Sequence, residues 1–316
     1  MNYRKLANRI RHNYYFALTA SRIALPVQKT CAYLDSQIQM KVWINGAKVS
    51  YGGVELRFPR DVGVNYSSLI FWRGERGYEP ETWKVMKCFT KRSSHFIDVG
   101  SNSGLFSVLA KKINPSIVVD AFEPVPSIHK KNILFQQANG CDTNSIWELA
   151  LSDQDRQSKM FVPIDGSYME EESTATLRPD SWQSRRAQKA EIQVTTTTLD
   201  DFFRVHEKHP PITMKVDVED YEASVLKGAC ETLVHDRPTV VCEILPRAHG
   251  NVETIDFLTE YDYSIFAICQ EGLFRMTRED FGRPRNVTNF VFLHNSMLSK
   301  NQNYIAFENG TDNLLI

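Results

Sequence analysis

The sequence lacks the marks of several protein classes. Its 316 residues carry 37 Lys and Arg against 38 Asp and Glu, a net charge of −1, which argues against a nucleic-acid partner because such partners favour a strong basic excess. The apolar run of residues 14–20 is too short to span a bilayer. Six cysteines are scattered without a C-x-x-C pair, so we predict no metal site and expect free thiols in a reducing, cytoplasmic compartment.

The patterns of the two commonest nucleotide sites are also absent. The chain has neither the G-x-G-x-x-G of dinucleotide sites nor the G-x-x-x-x-G-K-[ST] of the phosphate-binding loop. It has instead an apolar run, residues 96–99, followed by the spacing Asp98-x-Gly100-x-x-x-Gly104 and a second apolar segment. This pattern predicts a strand, a tight turn and a helix over residues 105–112. Glycine at the turn allows a positive φ and lets backbone approach a ligand closely.

The order of predicted elements indicates an α/β fold with an N-terminal extension. Residues 1–35 read as a helix that is basic at its start, with six Lys and Arg and no acid in the first 30 residues. We expect this helix to pack on the domain, with contact to a membrane surface or a partner as the alternative. Residues 37–72 alternate as an antiparallel meander. The predicted division is therefore 1–75 for the extension and 76–316 for the main domain.

Strands and helices alternate from residue 95 onward. Near-continuous apolar strands between helices predict a mostly parallel sheet covered on both faces. Strands are expected over 96–99, 117–122, 145–151, 212–218, 238–245, 263–269 and 289–294, and helices over 80–89, 105–112, 126–138, 222–234 and 252–259. The pattern lapses between 153 and 198, around two short predicted strands at 159–162 and 192–194. That stretch is either an insertion that covers the substrate or a disordered loop.

An acid follows the second strand of this alternation. Glu123 stands twenty-three residues after Gly100, which is the distance at which a carboxylate can take the two hydroxyls of a ribose. With the glycine turn, it predicts an adenosine-containing ligand. The two missing nucleotide patterns argue against NAD and ATP, and a D-x-G-x-x-x-G turn with an acid after the second strand is what S-adenosylmethionine enzymes use, so this is the ligand expected. Its methionine carboxylate and amine need only a close backbone and a nearby acid such as Asp98.

Four blocks then follow one another along the chain. They are Phe96-Ile97-Asp98-Val99-Gly100-Ser101-Asn102-Ser103-Gly104, Ala121-Phe122-Glu123-Pro124, Ala150-Leu151-Ser152-Asp153, and a last block that runs from Thr198-Leu199-Asp200-Asp201 to Met214-Lys215-Val216-Asp217-Val218-Glu219. In this set and order the chain resembles the FkbM-type family of S-adenosylmethionine-dependent methyltransferases. The resemblance covers residues 78–295, and its specificity lies in the ordered set, since each block alone is a weak signal.

The resemblance implies a fold, a cofactor site and an activity. The fold is that of class I methyltransferases, a seven-stranded mostly parallel sheet with an antiparallel last strand. Members of the family typically O-methylate sugars or other small hydroxylated metabolites. The resemblance places Ser152 and Asp153 by the adenine and Glu123 on the ribose, and it surrounds the methionine part with Asp98, Gly100, Asn102 and Gly104. One departure is Asp220, which stands where the family usually has glycine.

Two carboxylates are the candidates for catalysis. Asp217 and Glu219 lie two residues apart at the end of a predicted strand, where alternate residues point to one face. They are therefore expected to share a site and to shift each other's pKa. One of them is expected to act as the base or to bind the substrate, and the sequence does not choose between them. Binding of solvent or of a structural arginine is the alternative role, and Glu243 is a weaker candidate.

The sequence thus predicts an O-methyltransferase that acts on a hydroxyl of a sugar, glycan or other small molecule. The alternative is a catalytically inactive methyltransferase-like module that serves interactions in a biosynthetic or membrane-associated assembly. The intact glycines and the carboxylates Glu123, Asp217 and Glu219 favour the enzyme. The glycine spacing excludes a nicotinamide-dependent oxidoreductase.

Overall fold

A mixed β-sheet covered by helices forms the centre of the fold, as expected of the α/β class. The computed structural model describes residues 48–59, 66–163, 175–178, 189–245, 251–280, 287–299 and 304–306. The predicted helix over residues 1–35 and the first part of the predicted meander lie outside the described residues.

A β-hairpin opens the described part of the chain. Strands β1 (Lys48–Tyr51) and β2 (Val54–Arg57) pair antiparallel across Gly52 and Gly53, whose φ angles are 62° and 80°. Tight hairpin turns need positive φ at both central residues, which glycine supplies. Tyr51 and Leu56 are fully buried in the same apolar core as the helix that follows the first strand of the main sheet. The hairpin therefore packs against the main unit.

Two helices connect the hairpin to the main sheet. Helix α1 spans Ser67–Arg73 and helix α2 spans Pro80–Thr90, so the strand predicted up to residue 72 is wrong there. Ile70 and Phe71 are both buried in this helix, since tertiary packing overrides the β propensity of such apolar residues. Helix α2 was predicted and buries its apolar stripe, Trp83, Met86 and Phe89. Burial stabilises the fold by about 1.5–3 kcal/mol for each such side chain.

The main unit follows the predicted alternation. Its elements in chain order are β3 His95–Val99, α3 Leu105–Ile113, β4 Val118–Phe122, α4 Pro126–Ala138, β5 Ile146–Trp147, β6 Ala150–Leu151, β7 Arg156–Pro163, β8 Lys189–Thr197, α5 Leu199–Val205, β9 Ile212–Val216, α6 Glu222–Lys227, α7 Cys230–His235, β10 Thr239–Glu243, α8 Asn251–Glu260, β11 Tyr263–Cys269, β12 Gly272–Met276, β13 Asn289–His294 and β14 Tyr304–Ala306.

The large sheet has nine strands in the described residues, in the order β14-β12-β11-β13-β10-β9-β3-β4-β5. The five strands from β10 to β5 are parallel, and β13 lies antiparallel between β10 and β11. The expected count of seven is not confirmed, because β12 and β14 extend one edge. Apolar cores cover both faces of the sheet. The carboxyl ends of β3, β4 and β9 meet at one edge, where such sheets bind ligands.

Four predicted elements are divided or extended. The strand expected over 145–151 splits into β5, in the large sheet, and β6, in a small sheet of order β6-β8-β7. The two short strands of the insertion are longer than predicted and pair antiparallel as β7 and β8. The helix expected over 222–234 breaks at Gly228, where a Cβ would lie 1.9 Å from the backbone oxygen of Ser152. The break lets α6 and β6 approach closely.

Five of the six cysteines lie in the described residues. Cys88, Cys141, Cys230, Cys242 and Cys269 are free thiols, and Cys242 is buried. Within the part of the chain that the structure describes, no helix combines the length and the apolarity needed to cross a membrane.

Candidate functional site

A pocket opens at the carboxyl ends of the central parallel strands. The open space at this site, including solvent at its mouth, is about 530 Å³. Three groups of residues line it: the turn after β3 with the end of β4, the β6–β7 region with residues 175 and 177, and the segment after β9. They are Val99, Gly100, Asn102, Phe122, Glu123 and Pro124, then Leu149, Ala150, Leu151, Met160, Ala175 and Leu177, then Asp217, Val218, Glu219 and Tyr221.

Two positions of the glycine turn (residues 100–104) have backbone φ angles that glycine adopts without strain and other residues do not. Gly100 has φ 74° and Gly104 has φ 83°. A Cβ on Gly100 would lie 1.9 Å from the backbone oxygen of Asp217, and one on Gly104 would lie 2.2 Å from Asn132 Oδ1. The glycines are therefore required by φ and by neighbouring protein atoms. Gly100 and Asn102 line the pocket, Gly104 is not among its lining residues, and the cofactor contact of all three stays a prediction.

Glu123 joins the glycine turn to the start of helix α4. Its Oε2 accepts the backbone N–H of Asn102 at 3.0 Å, and its Oε1 accepts the backbone N–H of Val125 at 2.9 Å. The residue is 5% exposed and lines the pocket. Because a carboxylate oxygen can accept more than one hydrogen bond, these contacts leave Glu123 suited to receive hydroxyl donors. The pocket position agrees with the predicted ribose contact, which remains a prediction.

Asn132 is a part of this site that the sequence analysis missed. From helix α4, its Nδ2 donates to Ser101 Oγ and to the backbone oxygen of Asn102, each at 2.9 Å. The side chain is fully buried. A buried asparagine in the middle of a helix is a weak sequence signal, and its partners become visible only when the turn and the helix are brought together.

Asp98 lies behind the pocket wall. Its Oδ2 accepts a hydrogen bond from Ser107 Oγ at 2.5 Å, and its side chain is 1% exposed. Burial raises the pKa of Asp98, and the charge of Lys215 on the neighbouring strand opposes that rise. The visible role of Asp98 is to fix helix α3 to β3. Its predicted contact with the methionine part of the cofactor stays a prediction.

Lys215 is the buried cation of the site. Its Nζ donates to Asp217 Oδ2 at 2.6 Å and lies 4.7 Å from the ring centroid of Phe106. Burial by itself lowers the pKa of Lys215, but nearby carboxylate charges, led by that of Asp217, outweigh it and raise the pKa above its ordinary value. Lys215 therefore remains an ammonium and fixes the side chain of Asp217.

Three carboxylates gather beside this ion pair. One oxygen from each of Asp217, Glu219 and Glu243, the carboxylate cluster, lies within 4.8 Å of the others, a spacing that could hold a metal ion. The sequence analysis expected Asp217 and Glu219 to meet because they alternate on a strand. The two carboxylates do meet, but not as alternate residues of one strand. Strand β9 ends at Val216, and Glu219 lies in a turn with a left-handed φ of 56°. The absence of a metal site, predicted from cysteine spacing alone, is not tested by this geometry.

The surroundings of Glu243 favour its protonated form. Burial raises its pKa to about 10, and the charges of Asp217 and Glu219 add to the rise. A protonated carboxyl donates a hydrogen bond and cannot act as a base. Glu243 is therefore a poor candidate for the base.

The residues predicted beside the adenine lie at the back of the pocket. Ser152 is fully buried, and its Oγ is bonded to Asp153 Oδ1 at 3.0 Å and to the hydroxyl of Tyr221 at 3.1 Å. Neither Ser152 nor Asp153 is among the described lining residues, whereas Tyr221 is. Ser152 thus orients an aromatic wall residue that the sequence analysis missed. An aromatic residue two positions beyond Glu219 was the available signal.

Glu222 holds the turn between β9 and α6. Its Oε1 accepts the backbone N–H groups of Val218 and Asp220, each at 3.2 Å. Burial raises the pKa of Glu222 from 4.5 to about 7, and the charges of Asp217 and Asp220 add to the rise. The turn that carries Glu219 is thus held by a carboxyl that titrates near neutrality.

We expect the variant Glu222→Gln to gain stability relative to the wild type as the pH rises. A raised pKa in the folded state stabilises the protein below about pH 4.5, and this contribution is lost as the pH rises to about 7. Glutamine keeps an acceptor oxygen but does not titrate. The free energy of unfolding of the variant minus that of the wild type should rise by about 1–3 kcal/mol from pH 5 to pH 8. Denaturant titrations at both pH values measure it.

The exposed Glu260→Gln is the control for that series, because its difference from the wild type should not change with pH. A difference for Glu222→Gln that stays constant from pH 5 to pH 8 would show that Glu222 does not titrate in this range.

Comparisons with known proteins point to one family. A sequence model described as the methyltransferase FkbM domain matches residues 98–265, more than half of the chain. No curated protein sequence matches the chain. Among solved structures, it is similar to methyltransferase FkbM from Methylobacillus flagellatus KT, with 14% identity and a TM-score of 0.39 over 64% of this chain and 44% of that one. It is also similar to precorrin-6y C5,15-methyltransferase from Geobacter metallireducens GS-15, with 9% identity and a TM-score of 0.36 over 70% and 88%. The chain thus spans less than half of the first of these proteins.

Proposed function

The chain belongs to the FkbM methyltransferase family. From this premise we propose that it is an enzyme that transfers a methyl group from S-adenosylmethionine. The acceptor that we propose is a hydroxyl oxygen of a sugar, glycan or other small metabolite. The observation that carries the proposal is one pocket lined by Glu123 and the glycine turn and also by Asp217 and Glu219. This pocket is lined by three of the predicted cofactor residues, Gly100, Asn102 and Glu123, and by both predicted catalytic residues.

The residues around the pocket fit this cofactor in charge and in polarity. Asp217 and Glu219 lie together, with Asp98 behind them and Lys215 as the cation paired to Asp217. An excess of carboxylates suits a ligand with a positive charge, and the sulfonium and amine of S-adenosylmethionine are both cationic. The apolar wall formed by Leu149, Met160 and Leu177 suits an adenine ring. When bound, the cofactor supplies an electrophilic methyl group.

The enzyme's task is then to align the acceptor hydroxyl and to remove its proton. Asp217 is fixed by Lys215 at 2.6 Å, so we assign it to orienting the acceptor. Glu219 lies at the pocket wall on the next turn, and we assign it to taking the proton. Alignment of reacting groups contributes up to about 7–11 kcal/mol in favourable cases. A positioned base adds roughly 10²–10⁴-fold in rate.

The replacement Glu123→Ala is expected to weaken S-adenosylmethionine binding by about 100-fold, or about 2.7 kcal/mol. The variant loses the ribose acceptor and also leaves two buried backbone N–H groups without their carboxylate, which costs about 1–3 kcal/mol for a buried donor. Calorimetric titration measures the dissociation constant. Glu123→Gln should also bind weakly, because one of its terminal atoms is an NH₂ group that would face a backbone N–H.

The control for Glu123 is Glu148→Ala, which removes a carboxylate that is 52% exposed near the same strand ends. Its dissociation constant should stay within about twofold of the wild type, since exposed ion pairs contribute little. Equal affinities of Glu123→Ala and the wild type for S-adenosylmethionine would show that Glu123 does not contribute to cofactor binding.

Transfer itself is tested with methyl-labelled S-adenosylmethionine and a cell extract. The proposal expects label on a hydroxyl oxygen of a small molecule or glycan, identified by mass spectrometry. Tight cofactor binding without transfer to any hydroxylated acceptor would favour an inactive binding module instead.

A further inference from the structure

A short segment of the insertion forms one wall of the pocket. Residues 175–178, the cover segment, are held to strand β7 by two backbone hydrogen bonds between Thr176 and Phe161, of 2.8 and 3.1 Å. Ala175 and Leu177 face the pocket. Ala175 also belongs to a small apolar cluster with Met160. The cover segment is therefore a fixed part of the site.

Two further bonds tie the cover segment to the turn that carries Glu219. Thr176 Oγ1 donates to the backbone oxygen of Glu219 at 2.7 Å. Arg178 Nη1 forms an ion pair with Asp220 Oδ1 at 3.1 Å, in which the Asp220 side chain is 1% exposed and that of Arg178 is 25% exposed. Hydrogen bonds between charged groups are stronger than neutral ones, above all when they are buried. Each of the two consecutive turn residues is thus bound by one residue of the cover segment.

The turn needs such support because its backbone is strained. Glu219 and Asp220 have φ angles of 56° and 72°, a left-handed conformation that residues with a Cβ rarely adopt. Strained residues of this kind persist where the surrounding structure holds them. Glu222 Oε1 binds the turn from the helix side, and the cover segment binds it from the insertion. The direction of the Glu219 side chain depends on this conformation.

We propose that Arg178 and Asp220 are positioning residues that couple the cover segment to Glu219. The inference rests on the proposed function and assigns a role to the position where the family usually has glycine. Glycine would adopt the left-handed turn without help, whereas Asp220 adopts it while paired to Arg178. The Arg178–Asp220 pair therefore fixes the position of the pocket wall and the orientation of the Glu219 carboxylate together. Without the pair, the turn relaxes and Glu219 no longer points consistently at the acceptor.

The test compares Arg178→Gln in two backgrounds. In the wild-type background it should lower kcat for methyl transfer by about tenfold while the dissociation constant of S-adenosylmethionine changes by less than about threefold, since misplacement of a catalytic group acts mainly on kcat. In an Asp220→Gly background the same change should alter kcat by less than about twofold, because the partner of Arg178 and the strain at position 220 are both gone. Lys159→Gln removes an exposed ion pair on the same hairpin and should leave kcat unchanged.

A second measurement does not depend on activity. Amide hydrogen exchange of the peptide that covers residues 216–222 should be faster in Arg178→Gln than in the wild type, and unchanged in Lys159→Gln. Faster exchange in a protein that transfers no methyl group would overturn the proposed function and leave the coupling standing. Unchanged exchange, or an equal loss of kcat from Arg178→Gln in both backgrounds, would overturn the coupling itself.

Discussion

Replacing Lys215 by methionine is expected to lower the free energy of unfolding by about 3–5 kcal/mol, the usual cost of removing one partner from a buried ion pair. Lys215 is 3% exposed, and its ammonium lies 2.6 Å from Asp217 Oδ2. Asp98, on the neighbouring strand, is also buried. Without the ammonium, these carboxylates must take up protons or remain charged in an apolar environment, and both cost free energy. Denaturant unfolding monitored by circular dichroism measures the loss.

The matched control is Lys159→Met, which also breaks a lysine–carboxylate pair. Lys159 and Glu191 are 2.9 Å apart but are 60% and 50% exposed, so the expected loss is about 0–1 kcal/mol. The double variant Lys215→Met with Asp217→Asn should recover part of the stability, because it removes both charges of the pair. Equal losses for Lys215→Met and Lys159→Met would show that the buried pair contributes no more than a surface pair.

The second large effect is expected on catalysis. Glu219→Gln should lower the rate of methyl transfer by roughly 10²–10⁴-fold, the usual contribution of a general base, while the dissociation constant of S-adenosylmethionine changes by less than about tenfold. Glutamine keeps the size and the acceptor oxygen of Glu219 but cannot take a proton from the acceptor. The rate is measured as label transferred to the acceptor fraction identified in the cell extract.

The exposed Glu260→Gln serves as the control for Glu219 and should transfer label at the wild-type rate. If Glu219→Gln keeps the full rate and Asp217→Asn loses it, the base is Asp217 and not Glu219. Full activity in both variants would show that neither Asp217 nor Glu219 takes part in methyl transfer.

The local parts of the site could be predicted from the sequence. The glycine turn, the acid at the end of β4 and the carboxylates after β9 each follow a strand directly, and the carboxyl ends of neighbouring parallel strands meet at one edge. Gly100 and Glu123 therefore reach the pocket as expected. The meeting of Asp217 and Glu219 was expected for a reason that the structure replaces, because Glu219 reaches its place through a left-handed turn and not through a strand.

The parts that sequence reasoning missed depend on contacts between distant residues. Asn132 binds the glycine turn from thirty positions further along the chain, and Arg178 meets Asp220 across forty-two positions. Neither pairing has a local pattern, since each partner reads as an ordinary polar residue of a helix or loop. The split of the predicted strand 145–151 between two sheets has the same origin, because pairing partners, and not propensity, decide which sheet a strand joins.

Binding of S-adenosylmethionine to the wild-type protein tests the central claim most directly. In a calorimetric titration we expect one molecule bound per chain, with a dissociation constant between about 1 μM and 1 mM, the common range for enzyme substrates. S-adenosylhomocysteine, which keeps the adenosine part, should compete for the same site, and NAD should not bind. Absence of binding at millimolar S-adenosylmethionine, or NAD binding of equal strength, would contradict the account.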